Sequence, residues 1–233
     1  MMVPEIDIGD VMARPKSPTI TGDAEKRGRK ASKEIRRVQL INATIESLSK
    51  RGYAATTMAD IADGAGLSRG IVNFHFESKD KLLIATLQHM ADEYTDHWSG
   101  EYERAGPRAA DKLWAMVAAD FDRRISTKQK LAAWCAFWGE AKSRPTYKAL
   151  CGARDNRYQQ TIRQLLEELK EEGGYDCDPA SLALAFCAML EGLWIRLMMV
   201  DGLTRQKAHR AAIDYLVSVF PGHFTRDGPR SET

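Results

Sequence analysis

No two cysteines stand at CxxC spacing, and Cys135, Cys151, Cys177 and Cys187 have no histidine at a metal-ligand interval. No signal peptide precedes them, so four reduced thiols in a cytoplasmic protein are expected. The five histidines are scattered, and neither a metal nor another cofactor is expected. There is no glycine-rich phosphate loop and no Ser/His/Asp order, and the Asp/Glu pairs read as solvated helix faces, so the chain is not read as an enzyme. No segment alternates apolar and polar residues over a useful length, which excludes a β-rich fold, and no internal repeat is visible. The longest apolar run, LALAFCAMLEGLWIRLMMV at 182–200, carries Glu191 and Arg196 near its middle. A charge at a bilayer centre costs about 2.5–3.5 kcal/mol, so this run reads as a helix buried within an assembly and no membrane partner is expected.

What remains is an ordinary globular composition, 44% hydrophobic and 28% charged over 233 residues, enough for one large domain or two modest ones. The net charge of +2 conceals an asymmetry. Basic residues concentrate in 26–51, whereas acidic pairs such as Glu167-Glu168 and Glu171-Glu172 lie in the second half. A local phosphate-binding patch is the implication.

Helical periodicity and its punctuation predict an all-α protein. Ile35, Val38, Ile41, Ile45 and Leu48, flanked by Leu40, form an apolar stripe for a helix over about 32–50, ended by Gly52. Two short helices follow. Further helices are expected at about 79–104, 108–125, 128–143, 146–172, 178–201 and 204–220, with breaks at Gly106-Pro107, Ser126-Thr127, Arg144-Pro145, Gly173-Gly174 with Pro179, and Gly202. The expected organisation is a disordered tail over 1–25, a three-helix DNA-binding domain with a basic arm over 26–78, a helical ligand-binding and dimerisation domain over 79–222, and a disordered tail over 223–233. Met12 is read as a candidate alternative start.

The most informative segment is TTMADIADGAGLSRGIVNFHFESKDKL at 56–82. Thr57 suits a helix cap with Asp60 in the first turn, and Ile61, Ala62 and Ala65 follow at helical spacing. Gly66 supplies the left-handed residue of a tight turn, and Ser68 caps a helix beginning at Arg69, with Phe74 and Phe76 as apolar anchors at its end. Two helices joined this way, the second faced with Arg69, Asn73 and His75, form a helix-turn-helix reader of double-stranded DNA. Upstream, Lys26-Arg27-Gly28-Arg29-Lys30 with Lys33, Arg36 and Arg37 forms a basic arm suited to phosphates or a minor groove, Lys30 among its contacts.

Three stretches resemble the DNA-binding domain of TetR/AcrR-type repressors: Thr56-Thr57-Met58-Ala59-Asp60-Ile61-Ala62, Ala65-Gly66-Leu67-Ser68-Arg69-Gly70, and Phe76-Glu77-Ser78-Lys79-Asp80-Lys81-Leu82-Leu83. In the second half, Phe121-Asp122, Ala133-Trp134-Cys135-Ala136-Phe137-Trp138, Pro145-Thr146-Tyr147 and Glu191-Gly192-Leu193-Trp194-Ile195-Arg196 resemble the BetI-type branch. That branch likewise has a small polar residue where Asn73 stands. The resemblance implies a homodimer formed through about 178–220, a palindromic operator, and control of glycine betaine synthesis relieved by choline. It implies that Arg69 reads bases, that Asn73 pairs with adenine or bonds a phosphate, and that Gly70 admits the DNA backbone, with Thr56 or Thr57, Ser68, His75 and Lys79 on phosphates. His75 also suits a partly buried structural post.

Trp134, Phe137 and Trp138 stand at i, i+3 and i+4, and Glu191 with Trp194 at i, i+3. Aromatic faces with a carboxylate suit a quaternary ammonium, which has no N–H to donate. The expected pocket draws on Trp114, Phe121, Trp134, Phe137, Trp138 and Trp194, with Glu191 or Asp122 as counter-charge. The same aromatic spacing also suits a core or a dimer interface. Two alternatives stay open: a TetR-type repressor for another ligand, such as a lipophilic drug or acyl compound, and a structural DNA-binding protein with no ligand.

Overall fold

A computed structural model describes the backbone of residues 21–231 and the side chains of 32–231. Among the described residues there are nine α-helices: α1 (Thr21–Ala55), α2 (Met58–Gly64), α3 (Arg69–His75), α4 (Lys79–Arg104), α5 (Ala109–Asp120), α6 (Lys128–Ala141), α7 (Pro145–Gly173), α8 (Pro179–Met199) and α9 (Arg205–Val219). Side-chain caps explain most of the starts. Ser78, Thr127 and Thr204 each accept the N–H three residues on, and the Asp178 carboxylate accepts two N–H groups at the head of α8. Gly174, in the left-handed conformation, closes α7.

Four expected boundaries need correction. The first helix starts at Thr21 rather than about Ser32, so residues 21–25 are helical; residues 1–20 of the expected tail, with Met12, lie outside the described residues. Gly52 breaks α1 (φ 77°, ψ 177°), but another helical turn follows it and carries Tyr53. The helix expected over 108–125 stops at Asp120. The Asp122 carboxylate accepts the Arg124 N–H at 2.7 Å, a local turn that competes with the helix. Residues 221–231 are not a loose tail: Phe224 is fully buried and pairs across a bridge with Pro229, and Arg230 N–H donates to His223 O at 2.8 Å.

From Val38 onward the described residues form one compact unit, and those up to Arg37 fall outside it. In α4, Leu82, Leu83 and Leu87 are fully buried, so the core is continuous from the second half of α1 into the later helices. Ile35, expected in the first helix's apolar stripe, is 66% exposed.

Candidate DNA interface and ligand cavity

The helix pair is built as its sequence dictates. Thr57 and Asp60 form a reciprocal capping box: Asp60 N–H donates to Thr57 Oγ1 at 3.2 Å, and Thr57 N–H to Asp60 Oδ2 at 3.0 Å. Gly66 takes φ 63°, and Ser68 Oγ accepts the Ile71 N–H at 3.4 Å. Ile61, Ala62 and Val72 are buried beneath the pair. Arg69, Gly70 and Asn73 are exposed on α3, and Thr57, Arg69 and Asn73 line one shallow groove between α2 and α3. A Cβ at Gly70 would meet only Ser68 Oγ, at 3.8 Å, so no internal contact requires glycine in this helix.

Several expected DNA contacts are placed otherwise. Thr56 is fully buried, donating to Gly52 O at 2.8 Å and accepting from Ser47 Oγ at 3.1 Å; it joins α1 to α2 and cannot meet a phosphate. Phe76 is the apolar anchor of α3, whereas Phe74 is 75% exposed, because a seven-residue helix has only one face on the core. His75 is half-buried, edge-on to Phe74. The Lys79 ammonium lies 3.4 Å from Tyr53 O and 5.6 Å from the Tyr53 ring centroid, bracing α4 against the last turn of α1. Lys30 lies outside the described side chains.

The second site is a small, partly open cavity of about 40 Å³ walled by α4, the end of α5, α7 and α8. Its lining includes Tyr94, Asp120, Arg154, Tyr158, Glu191 and Trp194. Asp120 is its chemical centre. Tyr94 O–H donates to Oδ1 and Tyr158 O–H to Oδ2, each at 2.7 Å, while Trp194 Nε1–H donates to Asp120 O at 3.0 Å. The three rings are thereby pinned around one carboxylate, Tyr94 lying 5.8 Å from Tyr158 and 5.5 Å from Trp194 between centroids. Burial pushes the Asp120 pKa up to about 6, and the two phenol donors and the charge of Arg154 restrain it from rising further. At neutral pH this is an ionised, desolvated carboxylate that forms no ion pair among the described residues. An aromatic box around such a charge suits a cation. The Cys187 thiol beside it is pushed up to about 12 by burial, so it is no nucleophile.

Of the residues expected to line a pocket, Trp194 and Glu191 are in this wall, Glu191 exposed at its rim. The others are elsewhere. Trp134 and Trp138 do share a face and stack at 6.0 Å, but the cation above them is the protein's own: Arg154 Cζ lies 4.4 Å from the Trp134 centroid and 5.8 Å from that of Trp138. Phe137 diverges from Trp138 by about 100° around the helix, as successive residues must. It packs edge-on against Tyr147 and Tyr53 instead. Trp114 and Phe121 clamp His209 of α9, at 5.6 and 6.2 Å. Asp122 sits in the turn after α5, its carboxylate 3.1 Å from Arg124 Nε; burial would raise its pKa, but the Arg124 hydrogen bonds and charge hold it below the usual value.

Sequence reasoning missed Tyr94, Asp120, Arg154 and Tyr158. One signal was available: Leu113, Met116, Val117 and Asp120 fall at i, i+3, i+4 and i+7, which puts an acid on the buried stripe of α5.

A joint connects the two sites. Tyr53 and Tyr147 share a hydrogen bond of 2.9 Å between their hydroxyls, and the Arg144 guanidinium lies 5.1 and 5.6 Å from the two ring centroids. Arg144 also meets Asp80 at 3.4 Å and Glu140 at 3.3 Å. The head of α4 and the start of α7 are thus tied together, and both helices run on to the cavity, Tyr94 lying about 22 Å along α4 from Lys79.

Residues 40–86 match the family of bacterial regulatory proteins of the tetR type, and residues 109–221 match the BetI-type transcriptional repressor C-terminal family. The chain is 33% identical over 189 residues to the HTH-type transcriptional regulator BetI of Paraburkholderia xenovorans (strain LB400), covering 79% of this chain and 93% of that protein. It is 34% identical to BetI of Paraburkholderia phymatum, covering 79% of this chain and 92% of the relative. Among solved structures, a transcriptional regulator of Pseudomonas aeruginosa PAO1 superposes with TM-score 0.70 at 27% identity, over 81% of this chain and 92% of the other. One from Saccharomonospora viridis, in complex with choline, superposes with TM-score 0.68 at 22% identity over 77% and 94%. The capped reader helices and the four-helix cavity are thus those of a transcriptional regulator: the chain belongs to the TetR family, with a BetI-type repressor C-terminal half.

Proposed function

We propose that this repressor binds a palindromic operator as a homodimer, is released by choline, and thereby controls glycine betaine synthesis. The observation that carries the ligand is the ionised Asp120 carboxylate held inside the box of Tyr94, Tyr158 and Trp194. A quaternary ammonium supplies the missing charge without demanding hydrogen-bond acceptors, and each desolvated aromatic face not already covered by Arg154, which lies 4.9 Å from the Tyr94 centroid, adds about 2 kcal/mol. A free fatty acid or other anion would meet carboxylate repulsion there. The choline bound by the Saccharomonospora viridis regulator is consistent with the same ligand class.

On the DNA side, Arg69 and Asn73 read base edges, Gly70 permits close backbone approach, and Thr57, Ser68 and His75 meet phosphates. Lys79 contributes by holding α4 in place. For the dimer, α8 and α9 supply the contact. α8 is long and apolar enough to cross a membrane by length and composition, and it leaves Leu184, Ile195 and Met199 exposed on a single chain. A second copy covers that face and sets the two reader helices about 34 Å apart for successive major grooves. Choline must favour the form in which that spacing is wrong; a hundredfold change in the ratio of the two forms needs about 2.7 kcal/mol of differential affinity. The Tyr53–Arg144–Tyr147 joint is the route between the sites.

The test is a gel-shift titration on the DNA upstream of the protein's own gene, with and without millimolar choline. Retardation reversed by choline supports the reading. Retardation that choline leaves unchanged removes the ligand, and equal binding of random DNA removes the operator.

A further inference from the structure

Arg154 stands out on the cavity wall. It lines the cavity, its side chain is 5% exposed, and its Nη1 is buried with no hydrogen-bond partner among the described residues. The other two nitrogens are spoken for: Nε donates to Asp155 Oδ1 at 2.6 Å, and Nη2 pairs with the same carboxylate. The Trp134 face below, 4.4 Å from Cζ, balances the charge but offers no lone pair to an N–H. A buried N–H of a charged group left unmade is costly, and such groups in native proteins have a use.

We propose that Arg154 is the specificity-determining residue of the cavity: its Nη1–H donates to an uncharged oxygen that the ligand carries beside its cationic head. This rests on the cation reading of the Asp120 box and adds a second recognition point to it. The oxygen is a hydroxyl rather than a carboxylate. Asp120, Asp155 and Glu191 already line the cavity, and the guanidinium is the one cation among the lining residues. A ligand carboxylate would compete with Asp155 for that guanidinium and add a fourth negative charge, whereas a hydroxyl accepts the hydrogen bond with no change in charge. The site therefore separates a hydroxylated quaternary ammonium from its methyl isostere on one side and from a zwitterion on the other.

Calorimetric titration of the protein with choline, propyltrimethylammonium and glycine betaine tests this. Propyltrimethylammonium replaces the choline hydroxyl by methyl, so it removes the acceptor and keeps the head. Choline is expected to bind about ten- to a hundredfold more tightly than propyltrimethylammonium, and at least about tenfold more tightly than glycine betaine. In Arg154→Met the choline advantage over propyltrimethylammonium is expected to collapse to within about threefold, with propyltrimethylammonium itself little changed. Arg154→Lys, which keeps the charge over Trp134, should lose part of the advantage and serves should the methionine variant not fold. Equal binding of choline and its isostere by the unaltered protein overturns the role of Arg154 and leaves the cation reading standing. Equal weakening of both by Arg154→Met also overturns it, as does glycine betaine binding more tightly than choline. Binding of none of the three sinks this inference and the proposed ligand together.

Discussion

The reader and the cavity are built on opposite principles. The side chains proposed to meet DNA lie between Thr57 and His75, most of them exposed on or beside two short helices whose caps, turn and anchors are local in the chain. The cavity's groups come from four helices, from Tyr94 to Trp194, and are buried around one carboxylate. A surface reader tolerates exposure because DNA supplies the partner charges. The proposed interior sensor keeps a desolvated charge in readiness for its ligand, at a cost to the stability of the empty protein.

The sharpest way to break that contrast is Asp120→Asn. The ordinary Asp120 pKa is near 3.8 and the folded value about 6, so the folded chain binds this proton more tightly than the unfolded one. Its stabilising effect is full below about 3.8 and is lost as pH rises through about 6. Asp120→Asn is expected to lose choline binding by more than about a hundredfold in calorimetry, keep operator binding, and raise stability at pH 8 by roughly 1–3 kcal/mol in denaturant titration. A variant that loses choline and unfolds more easily at pH 8 would show that the carboxylate is structural.

Next in size, Arg69→Ala should lose about 1–3 kcal/mol of operator preference in competition with random DNA while leaving choline affinity unchanged. Equal losses on both DNAs would defeat the base-reading assignment. Choline affinity of the unaltered protein should hold from pH 8 to about 6.5 and fall by up to about tenfold per pH unit below 6, as Asp120 takes its proton. A flat profile from pH 7 to 5 would place the cation elsewhere. The smallest effect is expected at the joint: Tyr147→Phe removes the 2.9 Å bond to Tyr53 and should leave both binding reactions within about threefold while raising the choline needed for release. Unchanged release would mean the sites communicate through another contact.

How much of this was legible follows the same contrast. The helix at 79–104, the start of the helix at 128, and the cap and turn residues Thr57, Gly66 and Ser68 are readable because each depends on a few residues near in sequence. The aromatic box was misread because helical spacing shows which residues share a face, not what the face meets. Trp134 and Trp138 do share one, and only the fold shows Arg154 lying across it. Thr56 belongs to the reader motif by position, yet its hydroxyl points into the joint between α1 and α2.

By itself, then, the order of amino acids determined an all-α chain, where most helices begin and end, and a DNA-reading helix pair with Arg69 and Asn73 outward. Those are consequences of backbone conformational preference, capping and periodicity, which act over a few residues. Tertiary structure alone decided that Asp120 is the cavity's buried carboxylate, that Tyr94, Tyr158 and Trp194 donate to that residue, and that Arg154 covers the tryptophan pair. Burial and desolvation belong to the packed whole, so the pKa and the partners of a side chain emerge only when distant helices close around it.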